Sequence, residues 1–400
     1  MTDRLYYENA YLTAFDAQVT QVSVRDGRQI VTLDRSAFYP TSGGQPFDTG
    51  TLNGARVTDV FVDAQGEVWH ETDGAFAAGE NVHGEIDWLR RFDHMQQHAA
   101  DHMIAGAIWR MLGGVTIGLH ESGDISTIDV QMPDGRTRLT AEEIARVEWD
   151  VNRHIQRDVP IRCWFPAPDE LASLPLRKKP TVQTHVRVVA IGDDEMVACG
   201  GTHPSSAGQL GLVKILSALP ARGKVRVGFV AGERALRDYF TCFNAAHAAA
   251  QQFSSGVDKL EGNVALLRQR LECAENELRK LRRERMLTQL DALLAEAEPL
   301  ACGARLAACF IDGDMALVKE CASKLIERPD IVALLGVRTD RQMMYVFGRS
   351  DNVNINMGAL LSEAARALGG KGGGRPDFAQ GGGPEGMLAF AAKLLKERLT

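Results

Sequence analysis

Over residues 17–68 β-branched and polar residues alternate, with Val22 and Val24 before Asp26-Gly27 and Val31 and Leu33 after it. An Asp-Gly step between two such runs predicts a β-hairpin, because both central residues of the tightest turn need positive φ. The segment as a whole predicts a small β-barrel or sheet domain. From 87 to 113 the period lengthens to that of a helix, with Leu89, Phe92, Met95, Ala99, Met103 and Ile104 returning every three or four residues. Helical pattern recurs over 141–156, and Val186, Val188 and Ala190 read as strand before Cys199, so an α+β domain is expected to end near Arg237. From Val257 the apolar residues fall in a heptad through Leu260, Val264, Leu267, Leu271, Ala274, Leu278 and Leu281, broken at Arg285. That is a coiled-coil seam or one amphipathic helix folded onto its own domain. Helical and strand-like segments alternate again from Cys302 and include a glycine-rich stretch over 369–383.

A chain of 400 residues is too long for one core and is expected to divide into two or three domains. The boundaries predicted are 1–87 for the barrel, 88–240 for the α+β domain, 256–290 for the coiled-coil-like helix and 300–400 for a terminal α/β domain. With 45% hydrophobic and 24% charged residues the composition is that of a soluble globular protein. No segment approaches twenty uninterrupted apolar residues and the polar start is unlike a signal peptide, so a cytoplasmic protein without a membrane partner is expected. Seven scattered cysteines predict reduced thiols with at most a local metal role. The net charge of −7 argues against coating nucleic acid through bulk electrostatics. It leaves room for local basic patches at Arg177-Lys178-Lys179 and at Arg279, Lys280, Arg282, Arg283 and Arg285, which are otherwise solvated faces.

Two clusters carry chemistry. His94, His98 and His102 stand four apart and share one face of the predicted helix, where a pair one turn apart can grip a metal ion. In Cys199-Gly200-Gly201-Thr202-His203 the glycines let the chain turn so that Cys199 and His203 face one point. A thiolate with imidazoles is a ligand set suited to Zn2+.

The combination of FYPTSGGQPFDTG at 38–50, HAADH at 98–102 and CGGTH at 199–203 resembles the editing domain of alanyl-tRNA synthetase and its freestanding relatives. The glycine-rich stretch is similar to the terminal DHHA1 domain that this synthetase shares with DHH-type phosphoesterases. The resemblance implies zinc held by His98, His102, Cys199 and His203, with His94 outside the motif. It implies a hydrolase that cleaves the aminoacyl ester of mischarged Ser-tRNA(Ala), and of Gly-tRNA(Ala) with it. Because no activation domain precedes the barrel and no phosphate-binding G-x-x-x-x-G-K-[ST] occurs, deacylation in trans without aminoacylation is expected. Ser36, Ser42 and Gln45 are the expected substrate-reading groups; Ser36 stands where relatives often carry Thr, and Thr41 where they often carry Glu. Zinc would polarise the ester carbonyl or lower the pKa of water, although four protein ligands are also the pattern of a structural site. RNA contact is expected from the basic patches and the terminal domain, and a homodimer from the helical seam. The alternatives are a DHH-type phosphoesterase, with Lys371 and Arg375 meeting phosphate and Gly372, Gly373 and Gly374 cradling it or forming tight turns, and a non-catalytic zinc-containing RNA-binding module.

Overall fold

The computed structural model describes residues 1–180, 185–339 and 342–399, in two compact units, Met1–Ala248 and Ala249–Thr400. The first unit opens with a closed barrel of β1 (Ala14–Arg25), β2 (Arg28–Leu33), β3 (Gly50–Leu52), β4 (Ala55–Val62), β5 (Val68–Thr72) and β6 (Asn81–Ile86), in the order β1-β2-β5-β4-β3-β6. The predicted hairpin is present: Asp26 and Gly27 adopt φ of 52° and 80° between β1 and β2. Alternation along β1 sends Phe15, Ala17 and Val19 into the barrel core with Val31, Leu33, Val60 and Val82.

Helix α1 (Trp88–Leu112) is capped by the Asp87 side chain, which accepts from the Arg90 amide, and stops at Gly113 in the left-handed region. Its apolar residues Ala99, Ala100, Met103, Ile104, Ala107 and Ile108 pack on an antiparallel sheet of β7 (Val115–Ser122), β8 (Ile125–Gln131), β12 (Val213–Ala221) and β13 (Lys224–Ala231). Leu89, read from the period as part of that stripe, is instead 77% exposed in the first turn. The polar side is not solvated either: His94, Gln97, His98, Asp101 and His102 are all buried. Helix α2 (Ala141–Gln156) starts on a reciprocal Thr140–Glu143 capping box and joins the same core through Val147, Val151 and Ile155. A three-stranded sheet, β9 (Ile161–Trp164), β10 (Val188–Ile191) and β11 (Glu195–Ala198), leads directly to Cys199. Helix α3 (Gly232–Gln251) follows β13.

In the second unit, the seam expected to break at Arg285 lies on helix α4 (Leu260–Ala295), which itself continues through that residue. Leu267, Leu271, Leu278 and Leu281 are about half exposed, whereas Met286, Leu290 and Leu294 continue the helical period into a buried cluster with Val318, Leu325 and Leu335. Only the use of the apolar face changes there. The cluster lies on one side of a six-stranded sheet made of β14 (Glu298–Pro299), β15 (Arg305–Phe310), β16 (Ile331–Arg338), β17 (Met343–Arg349), β18 (Lys371–Gly374) and β19 (Phe378–Gly383), ordered β14-β15-β16-β17-β19-β18. Helix α5 (Met315–Ile326) connects the parallel pair β15 and β16 on that side, and α6 (Met357–Leu368) and α7 (Met387–Leu399) cover the other. Gly372, Gly373 and Gly374 therefore sit in a strand, in neither a phosphate cradle nor a turn. A Cβ at Gly372 would lie 2.7 Å from Gly381 Cα, and one at Gly358 would lie 2.4 Å from the Gly374 carbonyl oxygen. The glycines bring a hairpin and a helix into contact at backbone distance.

Candidate metal centre

The loop joining β2 to β3 carries Ser36, Ser42 and Gln45. Ser42 and Gln45 exchange backbone hydrogen bonds of 3.1 and 3.0 Å across Gly43 and Gly44, whose φ values of 60° and 92° make the two-residue turn possible. A Cβ on Gly44 would meet the Leu119 carbonyl oxygen at 2.7 Å, so the turn lies flush against β7. This geometry leaves Ser42 exposed and buries Gln45.

The register of α1 against the barrel is held by a fully buried ion pair. The Arg91 guanidinium meets Asp48 at 2.5 Å and donates also to the carbonyls of Ala10 and Ala37, while Asp48 accepts from the Tyr39 amide. Two turns beyond Arg91, His98 is aimed at the CGGTH segment. Ligand atoms of His98, His102, Cys199 and His203 lie within 4.8 Å of one another, with Cys199 Sγ 3.2 Å from His98 Nε2 and 3.4 Å from His203 Nε2. His94 stays outside this group; its Nδ1 faces Glu121 at 3.6 Å.

Gln45 is built into the cluster. The Thr202 amide can only donate, so the atom it meets at 3.1 Å is the Gln45 carbonyl oxygen, and His98 Nδ1, 3.0 Å from the same oxygen, must carry a proton. The lone pair of His98 is thereby left on Nε2, facing Cys199. Gln45 Nε2 donates to Thr202 Oγ1 at 2.8 Å. Gly201 is obligatory at this point: a Cβ would stand 2.5 Å from His98 and 3.0 Å from Gln45 Oε1.

Ser36 lies apart, fully buried in the barrel. His70 Nδ1 donates to the Val31 carbonyl, so its Nε2 accepts from the Ser36 hydroxyl at 2.7 Å, and Ser36 Oγ accepts from the Phe38 amide. Both capacities of that hydroxyl are spent holding the foot of the loop.

Electrostatics favour neutral imidazoles. Burial lowers His98 to about 3 and takes His102 and His203 well below the usual histidine range. Both nitrogens of His102 and Nδ1 of His203 lack any hydrogen-bond partner among the described residues. Burial pushes the Cys199 thiol up to about 12, against the opposing pull of the Gly201 amide and Arg187. A buried thiol with three unprotonated rings and orphaned nitrogens is a donor set completed by a cation.

The surrounding groups are ones that sequence reasoning did not find. Glu121, with no exposed side-chain area, approaches His98 Nδ1 at 3.3 Å, and burial holds its carboxyl well above the ordinary range. Arg187 donates to the carbonyls of Cys199 and Gly201, fixing the turn. Arg177, read as part of a basic patch, is instead in a buried ion pair with Glu195 at 2.7 Å, which removes it from any RNA surface. Glu121 sits in a strand whose alternation does not mark it, and Arg177 borders two exposed lysines; only tertiary packing reveals either role.

Three family models match the chain: "tRNA synthetases class II (A)" over residues 2–90, "Threonyl and Alanyl tRNA synthetase second additional domain" over 186–227 and "DHHA1 domain" over 303–400. The first contains Ser36, Ser42 and Gln45, the second Cys199 and His203, and the histidine pair of α1 falls between them. "Alanyl-tRNA editing protein AlaX-L" of Pyrococcus horikoshii is 29% identical over 421 aligned residues, covering 100% of each chain. The "Alanine--tRNA ligase" of Halorubrum lacusprofundi is 32% identical over 96% of this chain, and that of Pyrobaculum neutrophilum 34% over 95%. The chain spans 42% of the length of either ligase. The crystal structure of the C-Ala domain from Aquifex aeolicus alanyl-tRNA synthetase overlaps 24% of this chain at 29% identity with a TM-score of 0.22, too low a superposition to bear on the fold.

Proposed function

The chain resembles a freestanding alanyl-tRNA editing protein along its whole length, and on that premise we propose that it is an aminoacyl-tRNA deacylase acting in trans. The substrate proposed is mischarged Ser-tRNA(Ala), with Gly-tRNA(Ala) beside it, and no aminoacylation accompanies the hydrolysis. The observation that carries this reading is the convergence of His98, His102, Cys199 and His203, braced by Gln45 from the barrel loop. The donor set fits Zn2+, and when bound the ion supplies polarisation of an ester carbonyl or acidification of water. The protein's own groups do the orienting. Gln45 fixes the ring of His98, Arg187 fixes the turn that carries Cys199, and burial keeps the three imidazoles unprotonated. In the reaction, water oxygen bonds to the ester carbonyl carbon, the bond to the ribose oxygen breaks, and that oxygen leaves with a proton.

Selectivity must come from hydrogen bonding. Serine exceeds alanine by one hydroxyl, so a steric sieve that admits the error also admits the correct product. A site whose buried polar groups pair with that hydroxyl leaves them unpaired when alanine binds. The loop groups Ser36, Ser42 and Gln45 are proposed for this discrimination, Ser36 by holding the foot of the loop and Gln45 through the second hydrogen of its amide. Tertiary contacts of tRNA with the exposed basic run of α4 and the terminal domain would add affinity, and the exposed seam of α4 supports a homodimer, which sedimentation of Leu267→Lys/Leu271→Lys against the parent chain would test.

The decisive experiment is single-turnover ester loss from Ser-, Gly- and Ala-charged alanine tRNA. Ser-tRNA(Ala) should be hydrolysed much faster than Ala-tRNA(Ala), and Gln45→Ala, assayed with zinc saturating, should lose about tenfold to a hundredfold on the serine substrate with far less effect on alanine. No hydrolysis by the zinc-loaded protein would reduce it to a binding module; equal rates on serine and alanine would remove the editing function.

A further inference from the structure

The outward face of α2 carries an arrangement that the metal centre does not use. Trp149 is 64% exposed there, and Arg146 and Arg153, three residues before it and four after, stand exposed on the same side of the helix. With Met111, Ala145 and Asp150 they line one shallow groove. Three of the four carboxylates of the helix are engaged elsewhere, Glu143 with Arg136, Glu148 with Lys214 and Asp150 with Arg110, each at 2.8 Å, and the fourth, the exposed Glu142, stands one turn before Arg146 without bonding to it. Among the described residues no carboxylate forms an ion pair with Arg146 or Arg153. In a chain of net charge −7, two guanidiniums free of ion pairs among the described residues and framing one open indole form a local site for an anionic, flat-faced ligand.

A single-stranded nucleic acid presents both features, a base with a π-face and phosphates on either side of it. A protein partner would need a wider apolar floor around the anchor than Met111 and Ala145 provide, since hot-spot aromatics work inside a ring of contacts that excludes water. We propose that this face of α2 binds single-stranded RNA, one unpaired base stacking on Trp149 while flanking phosphates meet Arg146 and Arg153. It rests on the deacylase reading in one respect only: the strand is then an unpaired segment of the charged tRNA.

The test uses the full chain as wild type, W149A, W149L, W149F and R146Q/R153Q, with folding checked by circular dichroism. Binding of labelled, uncharged alanine tRNA and of a short single-stranded RNA copying its unpaired 3′ end is followed by anisotropy across a salt series. W149A and W149L should weaken binding about 5-fold to 150-fold, the range of one lost base stack, whereas W149F should keep most of the affinity. R146Q/R153Q should reduce the salt slope by about 1.4, at roughly 0.7 per phosphate contact on a single strand. W149L binding as tightly as wild type, or R146Q/R153Q keeping the wild-type slope, overturns the proposal and leaves the face to a protein partner. Deacylation separates the two readings. At saturating charged tRNA every variant should hydrolyse at the wild-type rate; a wild type that binds RNA through Trp149 yet hydrolyses nothing overturns the deacylase reading and upholds this one.

Discussion

Both lone pairs of the Gln45 carbonyl oxygen are committed, one to the Thr202 amide and one to His98. Its removal therefore frees the His98 ring as well as whatever the remaining amide hydrogen reads. Outer-sphere partners of this kind are worth about 10-fold to 100-fold in metal affinity. Gln45→Ala should weaken zinc binding by that factor in competition with a chelator. His94→Ala should leave zinc stoichiometry unchanged; loss of the ion from that variant would place His94 among the ligands. Ser36 belongs to another local problem, the buried His70 it donates to. Burial lowers His70 to about 4 from 6.5, so the unfolded chain binds the extra proton between these values. Stability is then fully present above about pH 6.5 and is lost as pH falls toward 4, by roughly 3 kcal/mol at about 1.4 kcal/mol per pKa unit. Urea titrations of the metal-free protein at pH 7 and pH 4 should show a shallower acid loss in His70→Gln than in the parent chain.

At the scale of elements, the position of α1 matters more than its helicity. Asp87 and Gly113 determine where the helix starts and stops, but the pair Arg91–Asp48 determines where it sits against the barrel. Both members are fully buried, so removing one leaves an uncompensated charge, a change that costs about 3 to 5 kcal/mol. Asp48→Ala should lower the melting temperature sharply and, in the fraction that stays folded, weaken zinc binding although no ligand is touched. Near-wild-type stability and metal affinity in Asp48→Ala would show that helix packing alone sets the register. Helix α4 shows a different relation between element and context: one uninterrupted helix exposes its seam through Leu281 and buries the continuing face from Met286 onward. The change at Arg285 marks a new neighbour and not a helix end.

For the whole molecule, the division into Met1–Ala248 and Ala249–Thr400 separates all the candidate ligands from the glycine-rich sheet and the basic run of α4. Phosphate contacts add affinity without supplying a hydrolytic group. Truncation before Val257 should preserve one zinc per chain and the single-turnover rate at saturating tRNA, while raising the tRNA concentration for half-maximal rate and flattening its salt dependence. Binding curves of the truncated and full chains that superimpose across the salt series would reject a contribution from the second unit.

The barrel, its Asp-Gly hairpin and the limits of α1 and α2 were legible in the sequence, because periodicity, capping and glycine chemistry are local properties, whereas the pairing of the H-x-x-x-H helix with the C-G-G-T-H turn came from the family resemblance. Contacts between residues far apart along the chain were not legible. Nothing local marks Glu121 as a buried carboxyl beside His98, Arg187 as the clamp on the Cys199 turn, Arg177 as a buried ion-pair member, or the terminal glycines as a close-packed hairpin under α6. Each of these roles is set by what packs against the side chain in three dimensions. The local sequence supplied the ligand types and their spacing; only the packing of the barrel, the helix and the turn decided which atoms converge, because burial and approach distance are properties of the assembled core.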